Sequence, residues 1–458
     1  MSIFLKFYLY LFFITTLFSF EQGRVVNTEI IEYESLEQIQ SNIINELGNV
    51  GIVSQYGATI YRILYETLDG YGDSTVASGV FAVPDSEQEA FGIVSWQHGT
   101  QIERQSAQSN RGFDILSRAV SSSGFIFVAS DYIGLGISND IHPYILKEPS
   151  ASSVIDLIRA IRSYFDEDIS ICLNRQLFLI GYSEGGYVTL AAQEAMENDF
   201  EDEFEITISF PMAGPYDLSG TMVNKMLEDD IYGEPFYLPY LLYAYITYYP
   251  NMGSVQEYFS TDFALVVDDQ YSGIYGSGYL NDYMNENSYN PPKLSLNSGI
   301  VSDFESNPNH ILRLALQEND LHDWAPKSKT YLFHAIADEL IPYQNSVESF
   351  NRFIDNGSQD VFLELLPESY GGHQEAAPYA ILTAFSTMQE FQLINPIGDV
   401  NHDGSIDIID VINIVNIILD RESIQLDSYL VWASDINKDS AINIYDIIQL
   451  VGIIYFQE

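Results

Sequence analysis

The chain carries one cysteine, Cys172, in 458 residues, so no disulfide can form within it. Basic residues are scarce as well: 18 Lys and Arg stand against 65 Asp and Glu, a net charge of -47. A surface this acidic repels a phosphate backbone, which excludes nucleic acid as the main partner. It stays soluble in salt and attracts cations, and without a disulfide, bound calcium is a candidate source of stability outside the cell. Long apolar runs are confined to the N-terminus, where Lys6 precedes an almost wholly apolar stretch over 7–18 and polarity begins at Glu21. That layout predicts a signal peptide over 1–20 and an extracellular chain, secreted or attached to the cell surface. The run is short for a membrane span, and no other segment approaches that length. The residues before Glu21, Leu-Phe-Ser-Phe, lack the small side chains a leader peptidase prefers, which leaves an uncleaved anchor as the alternative.

What is present is enough for a large core: 47% of residues are hydrophobic, in a chain too long for one ordinary domain. Segments 58–68 and 75–83 alternate apolar and polar residues around Asp-Gly-Tyr-Gly-Asp, the pattern of an antiparallel hairpin. Buried strands are expected at 91–96, 125–130, 177–180, 204–210, 330–335 and 361–365, and helices at 113–121, 154–165, 346–354 and 376–391. This alternation predicts an α/β fold, a mostly parallel sheet with helices on both faces. More than a hundred residues separate the strand at 204–210 from that at 330–335, far more than a crossover needs. The insertion, about 215–325, includes an aromatic-dense part with Phe236, Tyr237, Tyr240, Tyr243, Tyr245 and Tyr248. It is expected to form a helical cap whose apolar face shapes a pocket for an acyl chain; a helical insertion with its own small core is the alternative.

The sharpest local signal is Leu177-Phe-Leu-Ile-Gly-Tyr-Ser-Glu-Gly-Gly-Tyr187, an apolar strand followed by a glycine-rich turn and a helix-forming run. In that setting G-x-S-x-G predicts a nucleophile elbow, with Ser183 raised at the carboxyl end of the sheet and the Glu184 amide facing the site. A serine nucleophile needs a base, and the chain has only seven histidines. His373 follows the strand at 361–365 in a loop with two glycines, which is where a Ser, Asp, His chain order requires the base. His334 lies within a strand, His402 within an acidic loop, and His98 beside a strand end; His142, His310 and His322 have no adjoining element that would bring them to the top of the sheet. Asp338 sits just past the strand at 330–335 and is the candidate acid, with neighbouring Glu339 able to substitute and Asp320 and Asp323 the weaker choices. The second oxyanion donor is expected from the loop Gln97-His98-Gly99-Thr100, the Thr100 amide being favoured over those of Gly99 and Gln101.

Strand, Gly-Tyr-Ser-Glu-Gly-Gly, helix, then Asp338 and His373 in order, resembles the α/β-hydrolase superfamily. Within it, Val94-Ser-Trp-Gln-His-Gly-Thr100 and Ala129-Ser-Asp-Tyr-Ile-Gly-Leu-Gly136 resemble the secretory-lipase group of bacteria and fungi. The resemblance implies hydrolysis of carboxylic esters, lipase or esterase chemistry with no cofactor for catalysis. It leaves a polysaccharide esterase or a peptidase of the same fold as alternatives, together with a non-catalytic surface binding protein.

A separate signal closes the chain. Asp399, Asn401, Asp403, Ser405, Asp407 and Asp410 recur after 36 residues as Asp435, Asn437, Asp439, Ala441, Asn443 and Asp446. Positions 1, 3, 5, 9 and 12 of each twelve-residue loop are oxygen side chains and position 7, Ser405 or Ala441, offers its carbonyl, as a calcium loop requires. Each loop precedes an apolar helix. Ser440 replaces the glycine of position 6, which strains the second bend. The pair resembles a type I dockerin domain over 397–458, implying a small all-α calcium-binding module and a cohesin partner. At its tenth and eleventh loop positions, where that family often carries hydroxyl residues, this chain has Ile408-Ile409 and Ile444-Tyr445. The domain order is thus a leader at 1–20, a capped hydrolase-like domain at 21–395 and the module at 397–458.

Overall fold

The computed structural model describes residues 20–48, 51–167, 172–419 and 426–456, so the leader expected at 1–20 lies almost wholly outside the described residues. Ten strands form one sheet: β1 (Val25–Glu34), β2 (Ala58–Leu68), β3 (Ser74–Pro84), β4 (Glu89–Gln97), β5 (Phe125–Ser130), β6 (Cys172–Tyr182), β7 (Ile208–Met212), β8 (Thr330–Ala335), β9 (Val361–Leu366) and β10 (Asn395–Pro396). Their order is β1-β2-β3-β5-β4-β6-β7-β8-β9, with β10 paired to the start of β4. From β5 to β9 every pairing along this order is parallel, while β1, β2 and β3 add an antiparallel edge. Helices on both faces bury the central strands, which accounts for their continuous apolar runs.

The structure differs from the sequence expectation at several places. β1 went unread because it is an edge strand exposed over most of its length, with Val26, Ile30 and Tyr33 open to solvent, and because register shifts between Val25 and Asn27 and between Ile30 and Glu32 break any alternation. β7 begins at Ile208 rather than at 204; Phe204 and Ile206 keep the buried period but are not paired, since apolar alternation reports burial and not hydrogen bonding. The helix Lys147–Glu167 starts a full turn or more before 154, with Pro149 in its first turn, where the missing amide costs nothing.

The insertion between β7 and β8 lies across the carboxyl ends of the parallel strands. Its apolar helix Tyr237–Tyr248 is nearly featureless in amphipathicity because it is covered on most sides. Tyrosine hydroxyls tie this region to three loops at that end of the sheet: Tyr240 donates to the Gln101 carbonyl at 3.4 Å, Tyr245 to Ile145 at 3.1 Å and Tyr232 to Leu340 at 2.9 Å.

The C-terminal helices have a core of their own, built on Ile414, Ile417, Tyr429, Trp432 and Leu450. That core also takes in Ala90 of β4 and Cys172 of β6, so the two parts share buried surface. Polar contacts reinforce the junction: the Ile397 amide donates to the Gln88 carbonyl at 2.8 Å and Asn395 Nδ2 to Asp399 Oδ2 at 2.7 Å. Among the described residues no helix is long and apolar enough to cross a membrane.

Candidate active site

β6 delivers Ser183 to the carboxyl edge of the sheet, and the chain reverses there into the helix Glu184–Asn198. Ser183 adopts φ 63°, ψ -124°, a strained conformation for a side chain with a Cβ. The strain is held by β7, since the Ser183 amide donates to the Met212 carbonyl at 2.9 Å. Glycine is required beside it: a Cβ on Gly185 would stand 1.9 Å from the Gln97 carbonyl oxygen, and one on Gly181 2.2 Å from that of Gly185. The elbow therefore packs backbone against backbone, which is what leaves the serine side chain alone at the tip.

His373 is the first residue of the helix His373–Phe391, and Asp338 lies in the turn that follows β8. The structure brings the three together. His373 Nε2 is 2.8 Å from Ser183 Oγ and His373 Nδ1 is 2.5 Å from Asp338 Oδ2, with all three side chains buried. The Asp338 carboxylate is fixed from its other side by the Leu340 and Ile341 amides, which donate to Oδ1 at 3.0 and 2.7 Å. Burial pushes the Asp338 carboxyl up, but the hydrogen bonds from His334 and His373 outweigh it and hold the group down at about 2. An ionised acid then requires the Nδ1–H tautomer of His373, leaving the Nε2 lone pair for the serine hydroxyl.

The alternatives weighed for each role take other places. Glu339 Oε2 accepts the His373 backbone amide at 3.1 Å, so it steadies that residue without touching the ring. Asp320 accepts from Ser219, and Asp323 lies beside Asn356 and Arg352. His310 caps the helix Ile311–Glu318. His334 is a strand residue, as its position suggests, yet its Nε2 also reaches Asp338 Oδ2 at 3.2 Å, a contact whose spacing of four residues was visible in the sequence. His142 overturns the expectation that nothing would carry it to the top of the sheet: its Nε2 is 2.7 Å from Glu184 Oε1, on the residue after Ser183. No local pattern could reveal that contact, because it spans 42 residues.

The loop after β4 lies against the elbow, for a Cβ on Gly99 would stand 3.7 Å from Ser183 Cβ. Thr100 Oγ1 is 3.0 Å from the Tyr144 hydroxyl, and the Tyr132 hydroxyl donates to the His98 carbonyl at 3.1 Å. Burial lowers the His98 imidazole, against the opposing pull of Glu184, and the ring stacks on Tyr132 at 4.0 Å between centroids. Alongside, under the insertion, is an apolar cavity bounded by Tyr144, Leu218, Met222, Tyr237, Leu241 and Ile341.

The two C-terminal loops share most of their hydrogen bonds in the same register. Asp399 accepts the Asp403 and Gly404 amides and Asp410 those of Val400, Asn401 and Asp407; Asp435 accepts Asp439 and Ser440, and Asp446 accepts Asn437 and Asn443. The amides of Asp403, Ser405 and Ile409, and of Asp439, Ala441 and Tyr445, turn toward the shorter ligands Asn401, Asp403, Asp407, Asn437, Asp439 and Asn443 in the same register. Each loop is thus wound around a concentration of hard oxygen donors, with Lys438 of the second turned out toward Glu87, a set that fits calcium. Burial pushes the Asp410 carboxyl up and nearby Asp399 adds to it, a tension that a divalent cation would relieve. Ser440 is at φ 66° where Gly404 is at 83°, so the second loop carries the strain that its sequence foretells.

Residues 97–385 match the secretory lipase family and residues 397–454 the dockerin type I domain. No curated protein is a significant match to the chain. Among solved structures, it is similar to the rice cell wall degrading esterase LipA from Xanthomonas oryzae, at 26% identity and TM-score 0.70, over 81% of this chain and 97% of that one. A hydrolase from Legionella pneumophila shares the fold at 24% identity and TM-score 0.73, over 80% of this chain and 98% of that one. Candida antarctica lipase A in its closed state shares it at 16% identity and TM-score 0.57, over 81% and 82% of the two chains.

Proposed function

The chain belongs to the secretory lipase family, and from that premise we propose that it is an exported serine hydrolase of carboxylic esters, of the lipase or esterase kind, working through a Ser183, His373, Asp338 triad. The observation that carries this reading is the continuous hydrogen-bonded line from Asp338 through His373 to a strained serine on a strand-to-helix elbow. Ser183 Oγ attacks the ester carbonyl carbon while His373 Nε2 takes its proton. The imidazolium so formed is stabilised by Asp338, and the Glu184 and Thr100 amides hold the oxyanion. Collapse breaks the acyl–oxygen bond, and His373 returns the proton to the departing alkoxide. A water then repeats the sequence on the acyl-enzyme to release the acid.

We assign the hydrolase domain to 21–395, its cap to about 215–325 and the calcium module to 397–458, after a leader at 1–20. Calcium, when bound, would cross-link each loop to the start of its helix, through Asp399, Asn401, Asp403, Ser405, Asp407 and Asp410 in the first and Asp435, Asn437, Asp439, Ala441, Asn443 and Asp446 in the second. Ile408, Ile409, Ile444 and Tyr445 are exposed on the module and would offer a cohesin-type partner an apolar face. A polysaccharide esterase is the second reading, favoured by the dockerin match and by the similarity to an esterase described as degrading cell walls.

The test is hydrolysis of p-nitrophenyl esters from acetate to palmitate by the full chain and by Ser183→Ala. Activity that vanishes in the variant and peaks at long chains supports a lipase, with the aromatic insertion as acyl cover; a peak at acetate moves the reading to a polysaccharide deacetylase. No hydrolysis of any ester, with or without calcium, would overturn it in favour of a peptidase or a binding protein.

A further inference from the structure

Glu184 follows the nucleophile, and its side chain points away from solvent into a buried site that the reaction above does not use. There its Oε1 meets His142 Nε2 at 2.7 Å, and both side chains are almost fully buried. The other ring nitrogen, Nδ1, is 2.7 Å from the Ile133 carbonyl oxygen, which can only accept. Nδ1 therefore carries a hydrogen, and one further proton is held between Nε2 and Glu184 Oε1. Three tyrosine rings box the imidazole: Tyr132 at 5.9 Å, Tyr144 at 6.0 Å and Tyr240 at 5.9 Å between centroids. A polar pair sealed in aromatic surface is costly to bury and returns little stability unless its geometry is exact.

What the pair touches gives it a role. On one side it grips the side chain of the residue whose backbone amide is the first oxyanion donor. On the other, Tyr144 runs from the imidazole to Thr100 Oγ1, 3.0 Å away, on the residue proposed as the second donor. Tyr132, stacked parallel to His142, holds the intervening His98 carbonyl. We propose that His142 is a positioning residue that fixes both oxyanion donors, Glu184 through its carboxylate and Thr100 through the Tyr144 hydroxyl. It anchors them to the loop after β5, where a Cβ on Gly134 would meet the His142 amide nitrogen at 2.4 Å, so this loop cannot slacken without displacing the histidine. The inference rests on the serine-esterase reading of the site. His142 touches no reacting atom, and its effect is on the alignment of two amides that are needed more in the transition state than in the ground state.

The experiment compares Glu184→Ala, Glu184→Gln and His142→Phe with the parent chain on a p-nitrophenyl ester, reading kcat and KM separately and thermal unfolding alongside. Glu184→Ala and His142→Phe should each lower kcat by about 10- to 100-fold with KM within about twofold, as expected for misaligned donors. Glu184→Gln should recover most of the rate, because its amide can donate to Nε2 while Nδ1 still donates to Ile133. A passive packing role predicts the opposite pattern, with the ring-preserving His142→Phe active. Parent-like kcat in His142→Phe, or Glu184→Gln as impaired as His142→Phe, overturns the proposal; since Gln conserves the volume of Glu, that comparison stands even where Glu184→Ala does not fold, and thermal unfolding separates lost alignment from the overpacking a larger Phe ring introduces. Equal activity of the parent chain and Ser183→Ala would overturn the esterase reading itself, and the positioning role with it.

Discussion

Replacing Asp338 by Asn tests the core of the site with a change of a single atom. The variant keeps Oδ1 for the Leu340 and Ile341 amides but sets an NH2 group against His373 Nδ1, which donates to the carboxylate in the parent, and 3.2 Å from His334 Nε2, which also bonds the Ile341 carbonyl. His373 can then bond to residue 338 only through an Nδ1 lone pair, which moves its hydrogen to Nε2 and leaves no base for Ser183. The expected loss in kcat is about 10³- to 10⁴-fold with KM little changed. A second signature is in stability. Asp338 is held at about 2 by its two histidines, against an ordinary aspartate value of about 3.9, and that difference is worth about 2 to 3 kcal/mol of folding free energy. Because the folded value is the lower one, this contribution is fully present above pH about 4 and is lost as pH falls toward about 2. Urea unfolding of both chains at pH 7, 5 and 3 should therefore show a gap that is constant between 7 and 5 and narrows at 3; other carboxylates and bound cations titrate in both chains and cancel in the difference. A rate within tenfold of the parent, or a gap independent of pH, would refute the assignment of Asp338 as the ionised orienting acid.

Three other outcomes are expected. Gly185→Ala places a methyl 1.9 Å from a backbone oxygen that cannot move, and should cost about 3 kcal/mol or more in a thermal scan as well as activity; a parent-like melting temperature would contradict the packed elbow. Ser440→Gly removes a left-handed conformation worth about 1 kcal/mol, so calorimetric calcium titration of the full chain should show the second loop's site tightened by up to about fivefold, and an unchanged isotherm would count against it. Burial pushes the Cys172 thiol up to about 12, and the residue sits in the core shared by the sheet and the C-terminal helices. It should be inert to Ellman's reagent with calcium and reactive once a chelator loosens the module; equal rates in both conditions would mean that calcium does not hold the junction.

The sequence went furthest where the chemistry is local. The elbow is written in consecutive residues, because a strained serine needs glycines within two or three positions on both sides, and the acidic C-terminal loops are written twice in register. The central strands were legible because burial on both faces leaves an unbroken apolar run. β1, exposed over most of its length and broken by register shifts, left no such trace, and the start of β7 was misjudged because period and pairing are different properties. The order Ser183, Asp338, His373 could be listed from strand ends alone, since only those positions reach one edge of a parallel sheet.

What the tertiary structure decided is everything that depends on contacts between distant segments. It set Glu339 on a backbone amide and left Asp338 for the imidazole, although the two are neighbours in the chain and chemically alike. It brought His142 from a loop with no recognisable pattern to Glu184, and turned His334 from a strand residue into a second support for Asp338. It buried Cys172 between two parts that composition had separated. Local sequence sets backbone conformation and periodic burial, and those are determined within a few residues; which side chain meets which across 35, 42 or 190 positions depends on how the sheet, its loops and the insertion pack, and only the folded chain contains that.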